Sequence, residues 1–264
     1  MKRIHLFEFE DFAWFPHGLR TGLTRLIVVM HRLLGSSAHL EELLRRALAH
    51  TDTATIVDLC SGSGGPMLEV YQTLKAQPGR GHLRLTMTDL YPNRELAAAI
   101  NAGDDPALRY QTHAVDATRV DVELRGVRTM ICSLHHMRPA VARGILQDAQ
   151  QQRQPICVYE ISDNSFPIGL WWVALLPNFL LALLLTPFVR PLTIRQLFFT
   201  YVLPVIPLCF AWDGAVSNAR TYTLDDMRTL LEGLQAADYT WETGLLGGKA
   251  RKLYLLGLPQ GPGA

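Results

Sequence analysis

The 264-residue sequence lacks an excess of charge of either sign. Lys and Arg number 25 and Asp and Glu number 24, so the formal net charge is +1, and charged residues make up 19% of the chain. Such a balance argues against a protein that binds nucleic acid by neutralising phosphates over a broad basic surface. We therefore expect no nucleic-acid partner. Apolar residues reach 48%, which favours a folded chain over a disordered one.

The sequence also lacks clustered cysteines and a secretory signal. Its four cysteines, at positions 60, 132, 157 and 209, include no Cys-x-x-Cys pair. That spacing argues against a disulfide framework or a zinc ribbon and favours buried free thiols in a reducing compartment. Glu8, Glu10 and Asp11 fall where a signal peptide needs its apolar core. These features predict a protein that stays in the cytoplasm.

Strand-like and helix-like segments alternate along most of the chain. Two amphipathic helices are predicted at 19–35 and 38–50, before the first strand. Strand-like runs follow at 54–60, 83–90, 109–117, 128–136 and 155–162. A helix at 221–234 then precedes two strands that flank Gly247-Gly248, a hairpin turn signal. This order predicts an α/β fold with a doubly wound, seven-stranded, mostly parallel sheet and a C-terminal antiparallel hairpin.

An apolar segment interrupts this pattern after the fifth strand. Fifty-seven residues separate Asp163 from Thr221, where a typical connection has about 4–6. Residues 168–189 and 197–212 contain no charged side chain. The segment leaves the sheet at the edge where parallel sheets bind ligands, so we expect the insertion 164–220 to lie beside an active site.

The loop after the first strand is rich in glycine. It runs from Asp58 to Pro66 with the sequence DLCSGSGGP. Glycines after a parallel strand let a ligand approach the backbone closely, and the following helix offers free N–H groups. A dinucleotide loop would need glycine at Met67, and a phosphate-binding P-loop would need a Gly-Lys pair, so the sequence fits neither.

This loop resembles motif I, D-x-G-x-G-x-G, of the class I S-adenosylmethionine (SAM)-dependent methyltransferases. Asp58, Gly62 and Gly64 match the motif, and Cys60 replaces its first glycine. A generic Rossmann-like turn would give the same pattern, but the later strand ends also resemble the family. The resemblance covers roughly 52–163 and 221–258.

The resemblance implies a role for each strand end. Asp89 stands where the family places an acid that accepts both ribose hydroxyls, which the two oxygens of a carboxylate can do. Asp116 stands where an acid often contacts the adenine amine. Either aspartate could instead form a turn or cap a helix. The SAM-binding residues that the resemblance implies are Asp58, Cys60, Gly62, Gly64, Asp89, Leu90, Asp116, Ala117 and Ser133.

The family reaction is in-line methyl transfer to a nucleophile, in which positioning of the two reactants supplies most of the acceleration. A base is needed only where the acceptor must lose a proton. The catalytic candidates are His135, His136 and Asp163, because the ends of strands four and five face the methyl group in this family. Adjacent histidines on a strand point to opposite faces, so we expect only one of the pair at the acceptor pocket and no metal site.

Aromatic and apolar residues mark the candidate acceptor contacts. N-terminal helices often cover the acceptor site in this family, and residues 7–17 mix aromatic with acidic side chains. An aromatic cluster that merely packs the first helix would show the same composition. The candidate substrate contacts are Asp11, Trp14, His17, Trp171 and Trp172.

The insertion is compatible with three arrangements. Its first apolar run of 22 residues would span about 33 Å as a helix, close to a bilayer core. Prolines within both runs and arginines at the turn between them oppose a membrane-crossing hairpin. These residues are Pro177, Pro187, Pro204, Pro207, Arg190 and Arg195. The runs would instead rest on a membrane surface with the arginines facing anionic head groups, or form a helical lid or a dimer interface.

The sequence thus predicts a SAM-dependent methyltransferase for an apolar small-molecule or lipid-like acceptor. We expect it in the cytoplasm, or at the cytoplasmic face of the membrane through 168–212. The alternative is a non-catalytic, methyltransferase-like scaffold or partner subunit at the membrane. The predicted parts are an N-terminal helical cap at 1–50, a SAM-binding domain formed by 51–163 with 221–264, and the insertion at 164–220.

Overall fold

A seven-stranded sheet forms the centre of the protein, as the computed structural model shows for residues 1, 3–164, 167–247 and 251–260. The strands are β1 (Thr55–Asp58), β2 (Arg84–Met87), β3 (Leu108–Tyr110), β4 (Val127–Ile131), β5 (Ile156–Glu160), β6 (Tyr239–Leu246) and β7 (Lys252–Pro259). Their order across the sheet is β3-β2-β1-β4-β5-β7-β6. The first five strands are parallel, and β7 pairs antiparallel with both β5 and β6. The predicted fold class is therefore confirmed.

Nine α-helices cover the described part of the chain. They are α1 (His17–Leu33), α2 (Ser36–Leu48), α3 (Met67–Lys75), α4 (Arg94–Asn101), α5 (Pro139–Gln151), α6 (Leu175–Leu185), α7 (Ile194–Leu197), α8 (Val205–Arg220) and α9 (Leu224–Leu231). Local signals explain several boundaries. Gly35, at φ +64°, separates α1 from α2, and Thr223 caps α9 by accepting a hydrogen bond from the backbone N–H of Asp226.

The sheet separates two apolar cores. One packs α2, α3 and α4 against one face of the sheet, and the other packs α5 and α9 against the opposite face. Strands β4 and β5 are almost wholly buried, which is typical of parallel strands covered on both faces. The carboxyl ends of β1, β2, β4 and β5 consequently meet at one edge.

The N-terminal cap and the insertion are packed together in a third core. Leu23, Leu26 and Val29 of α1 contact Ala182 of α6 and Ile206 of α8 in this cluster. The helices approach closely because α1 has glycine at position 22, where a Cβ atom would lie 2.9 Å from the side chain of Ile206. Two segments far apart in sequence thus form one layer over the sheet edge.

The structure shortens strand four. The expected strand 128–136 ends at Ile131, and residues 134–136 form a 3-10 turn. Cys132 takes a left-handed conformation with φ +52°, which strand geometry does not allow. The expectation that His135 and His136 point to opposite faces of a strand is therefore wrong, and their ring centroids lie 4.3 Å apart.

The insertion forms a helical layer with prolines at its turns. Pro177 lies in the first turn of α6, where the backbone N–H makes no hydrogen bond within the helix. The prediction that Pro177 interrupts this helix is therefore wrong. Pro204 does separate the second run, since it directly precedes α8. In the described residues, Ile168–Phe188 is the one helical stretch long and apolar enough to cross a membrane. The segments Ile194–Val202 and Val205–Arg220 pass the same test only as a pair, which is bent by 78°.

The predicted hairpin turn is described only in part. Strands β6 and β7 pair in register from Tyr239 opposite Pro259 to Leu246 opposite Lys252. Gly247 has φ +83°, a conformation suited to glycine. Gly248 lies outside the described residues.

Candidate active site

The glycine loop between β1 and α3 borders open space at the sheet edge. Cys60, Gly62, Gly64 and Gly65 all have positive φ, from +47° to +100°. A Cβ atom at Gly62 or Gly65 would meet nothing within 4 Å. Cys60, at φ +57°, occupies the position of the first motif glycine and holds the conformation for which glycine is favoured. A ligand can therefore approach this backbone closely.

Asp58 stabilises the loop from below. Its carboxylate accepts hydrogen bonds from Ser61 Oγ and Thr129 Oγ1, both at 2.6 Å. The side chain is buried, and burial raises the pKa of Asp58 to about 6. This aspartate fixes the shape of the loop and ties it to β4, and neither oxygen is left facing the open space.

Asp89 lies directly after β2 and contacts the same loop. One carboxylate oxygen accepts the N–H of Gly62 and the other that of Tyr91, each at 2.8 Å. A carboxylate has about four acceptor positions, so each oxygen can still accept one more hydrogen bond. Asp89 is half-buried, and it can therefore hold the loop and bind a vicinal diol at the same time.

The remaining SAM candidates are arranged around this edge. Asp116 is exposed, and its Oδ1 accepts hydrogen bonds from both the N–H and the hydroxyl of Thr118, which forms the expected turn. Its Oδ2 can still accept a hydrogen bond from a ligand. Ala117 is buried and Leu90 exposed. The buried hydroxyl of Ser133 has no hydrogen-bond partner among the described residues. These features fit a nucleoside ligand, with Asp89, Asp116 and Ser133 as the polar contacts.

A cavity of about 230 Å³ opens at the ends of β4 and β5, beneath the cap and the insertion. Its lining has two sets of side chains: an apolar wall, mainly from α1 and α8, and a polar wall of titratable groups. The lining residues include Leu23, Ile27, Met30, Leu34 and Phe210 on the apolar side, and Glu8, Glu10, His135, His136, Glu160 and Asp213 on the polar side. Both predicted histidines thus reach the cavity.

His135 is held on both ring nitrogens. Its Nδ1 lies 2.8 Å from Glu160 Oε2, and its Nε2 lies 2.8 Å from Ser217 Oγ. Glu160 also accepts the backbone N–H of His135. Burial, together with Arg220 and Arg3, lowers the pKa of His135 to about 3, whereas burial raises the pKa of Glu160 to about 7. The imidazole is therefore neutral at pH 7 and firmly oriented.

His136 is oriented by the N-terminal segment. Its Nδ1 lies 2.8 Å from Asp11 Oδ1, while Arg220 donates to Asp11 Oδ2 at 2.7 Å and to the carbonyl of His136 at 3.0 Å. Burial opposes ionisation of Asp11, yet the hydrogen bonds from His136 and Arg220 hold its pKa well below the ordinary value. Asp11, a predicted substrate contact, therefore acts on His136 and Arg220.

Three further carboxylates line the cavity: Glu8, Glu10 and Asp213. Burial raises the pKa of Glu8 and Asp213 to about 7 and that of Glu10 to about 8. One oxygen of each has no hydrogen-bond partner among the described residues, and Asp213 uses its other oxygen to accept the N–H of Phe9 at 2.7 Å. Glu8 and Glu10 stand out in the sequence as acidic residues within an aromatic segment, but nothing in the sequence indicates which groups they contact. A general base works best with a pKa near the working pH, so these groups fit that role better than His135, whose pKa is about 3.

The other predicted site residues lie away from the cavity lining. Trp14 is exposed and stacks on Phe12, and Trp172 is also exposed. His17 contacts Glu95 at 2.9 Å, and Trp171 packs edge-to-face on Trp212. Asp163 follows β5 and is not part of the described lining. Within the described residues, the polar wall combines the two predicted histidines with four carboxylates: Glu8, Glu10, Glu160 and Asp213.

The strand order and the glycine loop after β1 give the chain the doubly wound α/β fold that its resemblance to the class I SAM-dependent methyltransferases implies. No family model and no curated protein matches the sequence. Three solved structures with a similar fold are those of PhzM, NcsB1 and BpumL. The pyocyanin biosynthetic protein PhzM is 13% identical with a TM-score of 0.46, covering 83% of this chain and 54% of PhzM. NcsB1, an O-methyltransferase from neocarzinostatin biosynthesis in complex with SAM and 2-hydroxy-5-methyl naphthoic acid, is 14% identical with a TM-score of 0.46, covering 85% of this chain and 55% of NcsB1.

The plantazolicin methyltransferase BpumL, in complex with S-adenosylhomocysteine (SAH), is 10% identical with a TM-score of 0.47. That match covers 92% of this chain and 98% of BpumL. The chain spans about half the length of PhzM and of NcsB1. At such identities the likeness concerns the fold, so the reaction and the substrate have to be argued from the site itself.

Proposed function

We propose that this protein is a SAM-dependent methyltransferase for a small molecule with an apolar body and a polar reacting end. The observation that carries the proposal is the adjacency of two sites at one sheet edge. Asp89 and the glycine loop offer the contacts of a nucleoside site at the ends of β1 and β2. The cavity lies at the ends of β4 and β5.

Several residues would hold SAM if it binds here. Asp89 would accept the ribose hydroxyls with its remaining lone pairs, and Asp116 Oδ2 would accept the adenine amine. Ser133 would use its unpartnered hydroxyl. When bound, SAM supplies an electrophilic methyl group, and the chain's own part is to hold the acceptor in line with it.

The cavity indicates the chemistry of the acceptor. Its α1 side chains, such as Ile27 and Met30, offer apolar surface, while the polar wall carries carboxylates and imidazoles. These groups accept hydrogen bonds or protons, so the acceptor's reacting end should carry a donor such as a hydroxyl or an amine. A quinone-like, isoprenoid, polyketide or lipid acceptor with such a group satisfies both walls.

The first test is calorimetric titration of the purified protein with SAH. We expect SAH to bind with a micromolar dissociation constant at one site per chain. Mass spectrometry of any ligand that denaturation releases would identify a nucleoside that co-purifies with the protein. Well-folded protein that shows no binding would overturn the proposal. That result would favour the non-catalytic scaffold.

We further propose that the insertion rests on a membrane surface while it covers the cavity. Fifteen of the 23 exposed large apolar side chains of the described residues belong to 170–208. Leu176, Leu184 and Phe188 are each more than 60% exposed, on the side of the insertion away from the shared core. Arg190 and Arg195 are exposed residues of the same segment and would supply the positive charge that anionic head groups require.

Surface substitutions test this proposal better than a deletion, because the insertion supplies Ala182, Leu185 and Ile206 to the shared core. A Leu184→Gln/Phe188→Gln variant should lose most of its co-sedimentation with anionic phospholipid vesicles while keeping its circular dichroism spectrum. Leu33→Gln on α1, which is 69% exposed, is the matched control and should bind like the wild type. Equal sedimentation of all three proteins, or none by the wild type, would contradict membrane attachment through this face.

A further inference from the structure

Three potential metal ligands converge on the polar wall of the cavity. Glu8 Oε1 lies 3.7 Å from Nε2 of His135, and Glu8 Oε2 lies 3.8 Å from Nε2 of His136. One ligand atom from each of the three residues lies within 4.8 Å of the others. The separations exceed the 2.7–3.2 Å of an N–H···O hydrogen bond, so these groups do not satisfy one another.

The outer partners of both imidazoles are those of a metal site. Metal-bound histidines almost always use the second ring nitrogen to contact a carboxylate or a carbonyl, which fixes the ring. Here Nδ1 of His135 contacts Glu160 and Nδ1 of His136 contacts Asp11, each at 2.8 Å. Both Nε2 atoms are thereby directed toward Glu8.

The charge balance favours an added cation. Glu8 is 3% exposed, and its Oε1 has no hydrogen-bond partner among the described residues. Arg220 approaches that oxygen at 3.1 Å but already donates to Asp11. Around the cavity the described residues place five carboxylates against three guanidinium groups: Glu8, Glu10, Asp11, Glu160 and Asp213 against Arg3, Arg20 and Arg220. Buried carboxylates in such excess need a further positive charge or protons.

We propose that Glu8, His135 and His136 bind a divalent transition-metal ion, with zinc as the best fit. Two imidazoles and one glutamate are a ligand set of catalytic zinc sites, which keep a fourth position open. Ligands about 2.1 Å from a tetrahedral ion lie roughly 3.4 Å apart, so the three ligand atoms, which lie within 4.8 Å of one another, would have to approach by at most about 1.4 Å. The ion would replace the contact that Ser217 Oγ makes with Nε2 of His135.

The open position would face the cavity that we assign to the acceptor. An ion there lowers the pKa of a bound hydroxyl, which would serve an oxygen nucleophile. Binding of the ion does not depend on the proposed methyl transfer. The two therefore fail separately, since one is measured with metal alone and the other with SAH alone.

The test uses cobalt(II) as a spectroscopic substitute for zinc, added to full-length protein stripped with a chelator. We expect one ion per chain, with the intense visible absorption of four-coordinate cobalt, and displacement by zinc. Glu8→Gln and His136→Ala should each weaken binding at least 100-fold. Asp11→Asn, which changes the outer partner of His136 and the acceptor of Arg220 and of the Glu8 N–H, should weaken it 10- to 100-fold. Circular dichroism and SAH titration check that each variant is folded.

Two matched controls should bind cobalt like the wild type. Glu123→Gln changes an exposed carboxylate outside the cavity, and His113→Ala removes an exposed histidine. Folded wild-type protein without stoichiometric binding would overturn the proposal. Binding that survives both Glu8→Gln and His136→Ala would do the same, because the ion would then lie elsewhere.

Discussion

Replacing Asp89 by alanine separates two roles that the structure gives to one carboxylate. Asp89 accepts the N–H groups of Gly62 and Tyr91 and keeps two lone pairs for a ligand. Loss of charged hydrogen bonds to the ribose should weaken SAH binding by about 1.5–3 kcal/mol. That loss raises the dissociation constant roughly 10- to 150-fold.

The same substitution should also lower the free energy of unfolding. Two backbone N–H groups lose a charged acceptor, but the site is half-buried and water can replace part of the contact. We expect a loss of about 1–2 kcal/mol by urea denaturation. Asp89→Asn keeps one acceptor oxygen without the charge and should fall between the wild type and Asp89→Ala in both measurements.

Calorimetry with SAH and urea denaturation on the same samples decide between the roles. Asp116→Ala is the companion variant, because Oδ1 of Asp116 is fully used by Thr118 and the exposed side chain offers the ligand less. It should weaken SAH binding by less than Asp89→Ala. If Asp89→Ala lowers stability while SAH affinity stays within twofold of wild type, Asp89 is only a turn residue and the assignment of the nucleoside site is wrong.

Three further predictions concern stability. Arg220→Met removes the buried partner of Glu8 and Asp11 and should lower the free energy of unfolding, measured with urea, by about 3–5 kcal/mol. Arg119→Met, at an exposed position, should lower it by less than about 0.5 kcal/mol. Equal effects of the two substitutions would contradict the ion-pair argument. Burial raises the pKa of Asp58 to about 6, so the folded state binds the proton more tightly than the unfolded chain, and stability is lost as pH rises from about 4 to 6. Asp58→Asn should therefore gain ~3 kcal/mol relative to wild type between pH 4 and pH 7, and a constant difference across that range would refute the shift. His17→Ala removes only exposed contacts, with Glu95 and with Thr21, and should change the unfolding midpoint negligibly.

The elements that sequence predicts well are those coded locally. The glycine loop follows from its own composition, and the start of α9 follows from Thr223 and Asp226, whose side chains cap it reciprocally. The strands follow from short apolar runs between turn signals. Boundaries were less accurate, because an isolated left-handed residue such as Cys132 ends a strand without any glycine or proline to mark it.

The polar wall could not be predicted, because its contacts join distant residues. Arg220 and Asp11 are 209 positions apart, and His136 is 125 positions from Asp11. A single acidic residue in an aromatic segment carries no sign of which basic group it meets. Sequence reasoning placed the histidines at the right strand end but assigned them strand geometry, and so it missed that both could face Glu8.

The shared core of α1 with the insertion has a consequence for synthesis of the chain. Leu23 leaves the ribosome well before its partner Ile206, and 183 positions take roughly 10–40 s at 5–20 residues per second. During that interval the apolar face of α1 has no native partner, and the cavity residues made before α8 also lack theirs. The nascent protein should therefore depend on a holding chaperone until the last third of the chain has been made.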